Sequence, residues 1–234
     1  SKKAGNHGFP ATPRDGAPIE IIGLLKSTLR WLISEPSFEH NGVTLSDGTS
    51  LSYQEWNDRL QDNFEKAFYI PEGNTEGYSI DPKLVNKRGI YKDVFGSQIP
   101  FTDYQLRPNL CVAMAVAPEL FKKEHAQRCL DIVEKHLLGP LGMKTLDPDD
   151  WNYQPYYNNA DDGTIKPIAK GWNYHQGPEW LWPTGYFLRA KTIFSKSTSK
   201  VEKRHDVNNI LMRHYKALNS SPWRSLPELT NKDG

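Results

Sequence analysis

Apolar positions recur every three or four residues in six stretches of this 234-residue chain, which is the spacing that buries one face of an α-helix. In the second stretch, Trp56, Leu60, Phe64 and Phe68 follow one another at intervals of four, after a Ser52 that can cap the helix. The predicted helices cover 17–34, 53–69, the segment "NLCVAMAVAPELF" that follows Pro108, 123–138, about 180–194 and about 201–218. In the last of these, Ile210, Leu211, Tyr215 and Leu218 recur.

Between these helices the chain is irregular, and its long loops carry most of the clustered polar and aromatic side chains. Residues 42–51, "GVTLSDGTSL", fit one small hairpin, and no longer strand shows a convincing alternation. Residues 139–178 form a long irregular stretch. Because loops longer than about 15 residues are uncommon unless they are functional, we expect three successive helix pairs whose connecting loops meet at one end around a site.

The composition narrows the class of partner. A formal net charge of +1, with 24% charged residues, offers no clustered cations for a nucleic acid. No apolar run approaches the roughly 20 residues that cross a bilayer, so no membrane partner is expected. Cys111 and Cys129 sit within apolar helical patterns, which predicts two reduced core thiols and favours an intracellular protein.

The stretch "NYHQGPEWLWPTG", residues 173–185, combines flat rings with hydrogen-bonding side chains around two prolines and two glycines. Such a mixture is typical of a pocket with an apolar wall and a polar rim, and a sugar fits it; the alternative is an ordinary set of core aromatics. Pro178 argues against a helix that would bring His175 and Glu179 onto one metal. We therefore predict no metal and no cofactor here, and a pocket formed by His175, Gln176, Glu179, Trp180 and Trp182.

Two shorter motifs are weaker candidates. In "GFPATPRDGAPIE", residues 8–20, Arg14 and Asp15 either serve a site or form an ion pair that caps a helix. In "DYQLRPN", residues 103–109, the polar side chains either bind a ligand, with an arginine fork suited to bidentate contacts, or cap a helix. These side chains are Asp103, Gln105, Arg107 and Asn109. The chain has no nucleophile elbow, P-loop, dinucleotide fingerprint or C-x-x-C pair.

Several motifs together resemble one family along almost the whole chain and in the same order. They are "NHGFPATPRDGAPIEIIGLLKS", "RGIYKD", "DYQLRPN", "VAPELF", "LLGPLGMKTLDPDD", "GWNYHQGPEWLWPTGYFLRAK" and "SPWRSLPELTN". The sequence resembles the C-terminal amylo-α-1,6-glucosidase region of eukaryotic glycogen debranching enzymes. That resemblance implies an all-α fold, the (α/α)6 toroid of six helical hairpins, with its site at one end. Residues 1–234 are then expected to be an incomplete part of it, truncated at both ends.

The resemblance also implies an activity, its partners and a location. Members of this family hydrolyse the single α-1,6-linked glucose at a branch stub, with inversion at the anomeric carbon. The expected partners are glycogen, phosphorylase limit dextrin and an N-terminal glucanotransferase domain in the same parent chain, in the cytoplasm. A non-catalytic helical module that binds α-glucan is the alternative, whereas a repeat scaffold is disfavoured because no fixed repeat period appears.

Inversion requires a carboxylic acid and a carboxylate base, separated by about 6.5–9.5 Å. The family pattern implies that the base is Glu228, in "LPELTN", and that the acid is an Asp just upstream of Ser1. Glu179 is the rival base, although desolvation beside two tryptophans would raise its pKa and favour an acid role. The glucose-site lining implied by the resemblance comprises Arg14, Asp15, Asp103, Tyr104, Gln105, Arg107, Asn109, His175, Gln176, Glu179, Trp180 and Trp182.

Overall fold

The computed structural model describes residues 10–160 and 172–233. Six α-helices occur where the hydrophobic pattern predicts them, with ends that differ by a few residues. Their bounds are α1 Ile19–Ser34, α2 Tyr53–Phe68, α3 Leu110–Val116, α4 Lys123–Leu137, α5 Trp182–Phe194 and α6 Lys200–Ser220. The prediction that the chain is mainly helical is confirmed.

Local chemistry explains two helix ends. Helix α2 begins with a capping box, in which the Ser52 side chain accepts from the Glu55 backbone and Glu55 accepts from the Ser52 backbone; such a cap stabilises a helix by about 1 kcal/mol. Helix α3 ends two residues before Pro118, which lacks a backbone N–H and instead starts a 3₁₀ turn, Pro118–Leu120. The predicted third helix is therefore shorter than its apolar run.

Helix α3 packs against both α1 and α5, while α2 packs against α1 and α4 packs against α5. Six consecutive residues of α3, Leu110 to Ala115, are buried, as expected for a helix with neighbours on several sides. Cys111 of α3 and Cys129 of α4 are free thiols in this core, which confirms the prediction for both. In α6, by contrast, Ile210 is buried and Tyr215 remains 59% exposed, although the sequence pattern grouped them on one face.

Short antiparallel strands tie the loops together, and most of them are too short for a sequence pattern to show. The predicted hairpin is confirmed as β2 (Gly42–Thr44) and β3 (Ser50–Ser52). Strand β1 (Ala17–Pro18) pairs with β6 (Val94–Phe95), and β4 (Tyr69–Ile70) pairs with β5 (Ile90–Tyr91). The remaining three strands form one sheet in the order β7 (Met143–Lys144), β8 (Glu179–Trp180) and β9 (Leu229–Thr230).

This last sheet corrects two expectations. The predicted fifth helix does not begin at Trp180, because Glu179 and Trp180 pair with strands on both sides and the helix starts at Trp182. The stretch 139–178 was expected to be irregular, but it contains β7; its residues 161–171 lie outside the described part of the chain. Within the described residues, no helix has both the length and the apolar character needed to cross a membrane.

Candidate functional site

A cavity of about 450 Å³ lies where the first residues of α1, α3 and α5 come together. Glu20 belongs to the first turn of α1, Asn109 precedes α3, and Trp182 opens α5. The loops that lead into these helices complete the lining. Seven of the predicted residues lie in its wall, namely Arg14, Arg107, Asn109, His175, Gln176, Trp180 and Trp182, with Thr12, Glu20, Thr145 and Trp172 among the others.

Arg107 lies in the cavity wall, but its guanidinium is fully used by the protein. It is 4% exposed, and burial is the main reason that its pKa is lowered, although Asp93 opposes that shift. Each of its three nitrogens donates to a neighbouring loop. The acceptors are Oε1 of Gln105 (2.9 and 3.1 Å), the carbonyls of Thr145 (3.0 Å) and His175 (2.7 Å), Oγ1 of Thr12 (3.0 Å) and Oε1 of Gln176 (2.5 Å). Arg107 therefore joins three loops, and the bidentate ligand contact suggested by its sequence is not available.

Arg14 is also engaged by the protein. Its Nη1 and Nη2 donate to both oxygens of Glu20 at 2.6 Å, and its Nε donates to Oδ2 of Asp93 at 2.6 Å. Burial opposes the protonated form, but the two carboxylates outweigh it and raise the pKa of Arg14. The ion pair suggested between Arg14 and Asp15 is wrong, because Asp15 instead accepts from Ser97 Oγ at 2.7 Å.

Asp93 connects the Arg14 cluster to α3. Its carboxylate is 2% exposed and also accepts from Nδ2 of Asn109 at 2.8 Å, while Nε of Arg107 lies 3.9 Å from it. Asn109 thus turns its amide nitrogen towards the protein. Since burying a charge without a partner is costly, the two arginines and this carboxylate stabilise one another.

Three predicted residues shape the surrounding loops without entering the wall. The Asp103 carboxylate accepts from the backbone N–H groups of Gly96 (2.8 Å) and Ser97 (3.1 Å). The Tyr104 hydroxyl accepts from the Asp81 backbone at 2.7 Å. Gln105 is buried behind Arg107. These contacts explain why polar residues cluster in "DYQLRPN": they fix the backbone that holds Arg107.

In contrast to the polar groups around the two arginines, the aromatic side chains of the segment 174–182 form an apolar surface. The His175 ring stacks on Trp180 with centroids 4.7 Å apart, and Trp180 donates its indole N–H to the Tyr174 carbonyl at 3.0 Å. Trp182 is 52% exposed beside the cavity. Desolvation and the nearby Arg107 charge lower the pKa of His175, which favours the neutral ring. A flat, apolar surface next to polar groups suits the C–H face and hydroxyls of a sugar.

Glu228 stands at the edge of this aromatic group. It precedes β9 directly, and its backbone carbonyl accepts from the Leu181 N–H at 3.3 Å. Its side chain is exposed, and its Oε2 accepts a hydrogen bond from the Tyr174 hydroxyl at 2.9 Å. An exposed carboxylate that is held by a hydrogen bond, next to rings that line a cavity, can remove a proton from a water molecule.

Glu179 has a different environment, although it neighbours Trp180 in the chain. Side chains alternate between the two faces of a strand, and that of Glu179 is fully buried against Gly139 and Gly142. The Gly142 N–H is 3.4 Å from its Oε2, while Oε1 has no hydrogen-bond partner among the described residues. Desolvation raises the pKa of Glu179. Neither Glu179 nor Glu228 lies in the cavity wall, but Glu179 is fully buried whereas Glu228 is exposed beside the aromatic rings, so this geometry does not favour Glu179 as the base.

A protein-family model described as amylo-alpha-1,6-glucosidase matches residues 2–234. The chain belongs to this glucosidase family. It is similar to the glycogen debranching enzyme of Saccharomyces cerevisiae (strain ATCC 204508 / S288c), with 49% identity over 251 aligned residues. That match takes in 100% of this chain and 16% of the yeast protein, so the chain spans about a sixth of this relative's length. The family resemblance seen in the sequence is confirmed.

Within this member of the glucosidase family, one group of described residues has the composition of a metal site. His136, Asp147 and Asp149 bring ligand atoms within 4.8 Å of one another. The Lys87 ammonium lies 2.9 Å from each of the two carboxylates and 3.0 Å from His136 Nδ1. Because the Lys87 ammonium already contacts all three side chains, the cluster does not require a metal ion.

Sequence reasoning missed several residues of the site in this glucosidase chain. Glu20 and Asp93 hold Arg14, Thr12 contacts Arg107, and Tyr174 contacts Glu228. The sequence carried a signal for two of them, because Asp93 ends the family motif "RGIYKD" and Tyr174 lies inside the 173–185 stretch. Tyr174, Asp93 and Thr12 lie between 54 and 95 positions along the chain from the residues that they contact. No local sequence pattern reveals contacts over such separations.

Proposed function

We propose that this chain provides the sugar pocket and the general base of an inverting amylo-α-1,6-glucosidase, which releases free glucose from the branch stub of limit dextrin. Membership of the glucosidase family over residues 2–234 carries the proposal. The cavity with its Trp180 and Trp182 wall supports it, as does the exposed carboxylate of Glu228 beside that wall.

In the proposed reaction, Glu228 takes a proton from a water molecule, and the water oxygen forms a bond to the anomeric carbon. The bond between that carbon and the glycosidic oxygen breaks, and a carboxylic acid protonates the leaving oxygen. As the family resemblance implies, this acid is expected outside the sequence, just upstream of Ser1. Attack from the opposite face converts the α-linkage into β-glucose.

The proposed sugar contacts follow from which polar atoms remain available. Arg107 and Arg14 are assigned to building the wall, because their donors already have protein acceptors. Among the described residues, none bonds to Oδ1 of Asn109 or to the ring nitrogens of His175, and both residues line the cavity. We assign these atoms to sugar hydroxyls, and the half-exposed face of Trp182 to stacking.

We also propose that the six helices form about half of an (α/α)6 toroid within a longer parent chain. Helix α3 packs against α1 and α5, and these three helices alternate along the chain with α2 and α4. This packing supports the proposed arrangement. The parent chain would act on glycogen in the cytoplasm, together with a glucanotransferase domain. A structure of the full-length protein tests this proposal, which fails if α1 and α5 do not both belong to an inner ring of helices.

The test of the proposed activity uses the full-length protein that carries this sequence, with phosphorylase limit dextrin as substrate. We expect glucose to appear first as the β-anomer in polarimetry or NMR. Replacing the base, Glu228→Gln, should lower kcat by about a thousandfold and leave glucan binding unchanged, because general base catalysis contributes roughly 10²–10⁴.

Glu179→Gln is the matched variant, since it makes the same chemical change in a neighbouring strand. We expect it to keep most of the activity, because the Glu179 side chain is buried away from the cavity. If Glu179→Gln abolishes turnover and Glu228→Gln does not, the assignment of the base is wrong. If the wild-type protein binds the dextrin but releases no glucose, the chain is part of a non-catalytic α-glucan-binding module.

A further inference from the structure

The Glu228 carboxylate has asymmetric surroundings. Its Oε2 accepts the hydrogen bond from the Tyr174 hydroxyl, with 2.9 Å between the oxygens. Within residues 10–160 and 172–233, no other group donates to this carboxylate. One oxygen is thus held while Oε1 stays free of protein donors in that part of the chain. A general base needs this combination, because its orientation must be fixed while one lone pair faces the water.

Tyr174 is itself held firmly. Its ring is in contact with three others, with centroid distances of 4.8 Å to Tyr157, 4.7 Å to His175 and 4.8 Å to Trp180. Its carbonyl accepts the indole N–H of Trp180 at 3.0 Å. The backbone of Glu228 is fixed from the same side, because Trp180 pairs with Leu229 and the Leu181 N–H donates to the Glu228 carbonyl. The segment 174–181 therefore holds both the backbone and the carboxylate of Glu228.

We propose that Tyr174 is the positioning residue for the general base: its hydroxyl fixes Oε2 of Glu228 and thereby aims Oε1 at the attacking water. This inference rests on the proposed function, since it needs Glu228 to act as the base. Tyr174 does not exchange a proton with the substrate, and its contribution is the geometry of its partner. The sequence alone gave it no role beyond its membership of an aromatic stretch.

The chemistry of the pair fits this role. Burial, followed by the contact with Glu228, raises the pKa of Tyr174 to about 12, so the phenol stays protonated and remains a donor at neutral pH. The hydroxyl therefore remains available to hold Oε2 of Glu228. Hydrogen bonds to charged groups are among the stronger ones in proteins.

The experiment compares Tyr174→Phe with Tyr157→Phe in the full-length protein. Both changes remove one hydroxyl from touching rings, but the Tyr157 hydroxyl donates to Asn159 at 3.0 Å and not to Glu228. The phenylalanine at 174 keeps the ring contacts and the carbonyl that binds Trp180. We measure kcat and KM for glucose release and the unfolding temperature.

We expect Tyr174→Phe to lower kcat by about tenfold, in line with the loss of one hydrogen bond to a charged group. KM should stay within about twofold, because the sugar wall is intact. The unfolding temperature should stay close to that of the wild type, because the ring contacts of residue 174 are kept. Tyr157→Phe should match the wild type in all three quantities.

Three results overturn the inference, and they can be told apart. If Glu228→Gln keeps its activity, or the wild type releases no glucose, the proposed function fails and the role of Tyr174 fails with it. If Glu228→Gln is inactive while Tyr174→Phe behaves like Tyr157→Phe, only the positioning role is wrong. If Tyr174→Phe loses activity together with unfolding temperature, Tyr174 is structural.

Discussion

Two polar clusters contact the segment 174–181 and use their side chains in opposite ways. In the first cluster, around Arg107, the hydrogen-bond donors of the guanidinium already have protein acceptors. These acceptors belong to Gln105, Thr145, His175, Gln176 and Thr12. The second cluster consists of the carboxylates of Glu179, in β8, and Glu228, directly before β9, which have hydrogen-bonding capacity left. Within the described residues, Oε1 of Glu179 has no hydrogen-bond partner, and Glu228 accepts from Tyr174 alone.

The difference shows that an arginine does not bind a ligand merely because it lies in a cavity wall. Arg107 and Asp93 are buried, and an uncompensated charge there would cost several kcal/mol, so their hydrogen bonds are committed to one another and to the loops. A group can serve a reaction when it keeps an unused atom near solvent, as Glu228 does. Three predictions test this division between the two clusters, beginning with the largest effect.

The largest effect is expected from breaking the Arg107 cluster. Arg107→Met should lower the free energy of unfolding by about 3–5 kcal/mol, because it leaves the buried carbonyl of Thr145 and the side-chain oxygens of Gln105 and Gln176 without this donor. The control is Arg128→Met, since Arg128 pairs with Glu72 where both side chains are about half exposed. That surface pair is expected to contribute about 1 kcal/mol or less.

Chemical denaturation of both variants gives the comparison. Equal losses for Arg107→Met and Arg128→Met would mean that the Arg107 hydrogen bonds do not hold the loops. The same experiment can be followed by a measurement of glucan affinity. A folded Arg107→Met variant with unchanged affinity supports a structural role for this arginine.

A smaller effect is expected from crowding the buried face of the sheet. A methyl group at Gly139 would overlap the Glu179 carboxylate, so Gly139→Ala should destabilise the protein by about 1–3 kcal/mol. Gly185→Ala is the matched control, because nothing lies within 4 Å of a methyl group at this exposed position of α5. Alanine favours a helix by up to about 1 kcal/mol over glycine, so this control should be slightly stabilised.

The change in unfolding temperature of the two glycine variants distinguishes the sites. A Gly139→Ala protein as stable as the wild type would show that the Glu179 side chain can move away from the "GPLG" loop. In that case the buried position of Glu179 would not be fixed, and its exclusion from the cavity would lose its support.

The smallest effect is a dependence of stability on pH that comes from Glu179. Burial raises the pKa of Glu179 above its ordinary value of 4.5, so over the interval above 4.5 the native state binds more protons than the unfolded state. The free energy of unfolding should therefore fall as the pH rises through this interval, and Glu179 should add no further change above its native pKa. Because glutamine does not ionise, Glu179→Gln should gain stability relative to the wild type across the same interval.

Denaturation curves between pH 4 and 8 give the difference between Glu179→Gln and the wild type. A difference that is constant over the whole range would contradict a raised pKa at this position. A difference that grows above pH 4.5 and then levels off agrees with a desolvated carboxyl group whose pKa is raised in the native state.

The hydrophobic pattern was sufficient for all six helices because each helix buries a face whose spacing is visible within a few turns. It failed at Trp180, where the aromatic run looks helical but pairs as a strand with Met143 and Leu229, residues 37 and 49 positions away. It also grouped Tyr215 with the buried Ile210, since helical spacing does not show whether a neighbour covers the face. The seven cavity residues came from polar and aromatic clusters in loops, where most functional side chains occur.

The sequence by itself determined that the chain is mainly helical, that it belongs to a glucosidase family, and that the 173–185 stretch contributes to a pocket. These properties depend on local periodicity and on the order of motifs. The tertiary structure decided which side chains keep a hydrogen-bonding atom that the protein does not use. It committed Arg107 and Arg14 to the protein, turned Glu179 away from the cavity, and brought Tyr174 to Glu228, because hydrogen bonds and burial depend on partners that the chain supplies from distant positions.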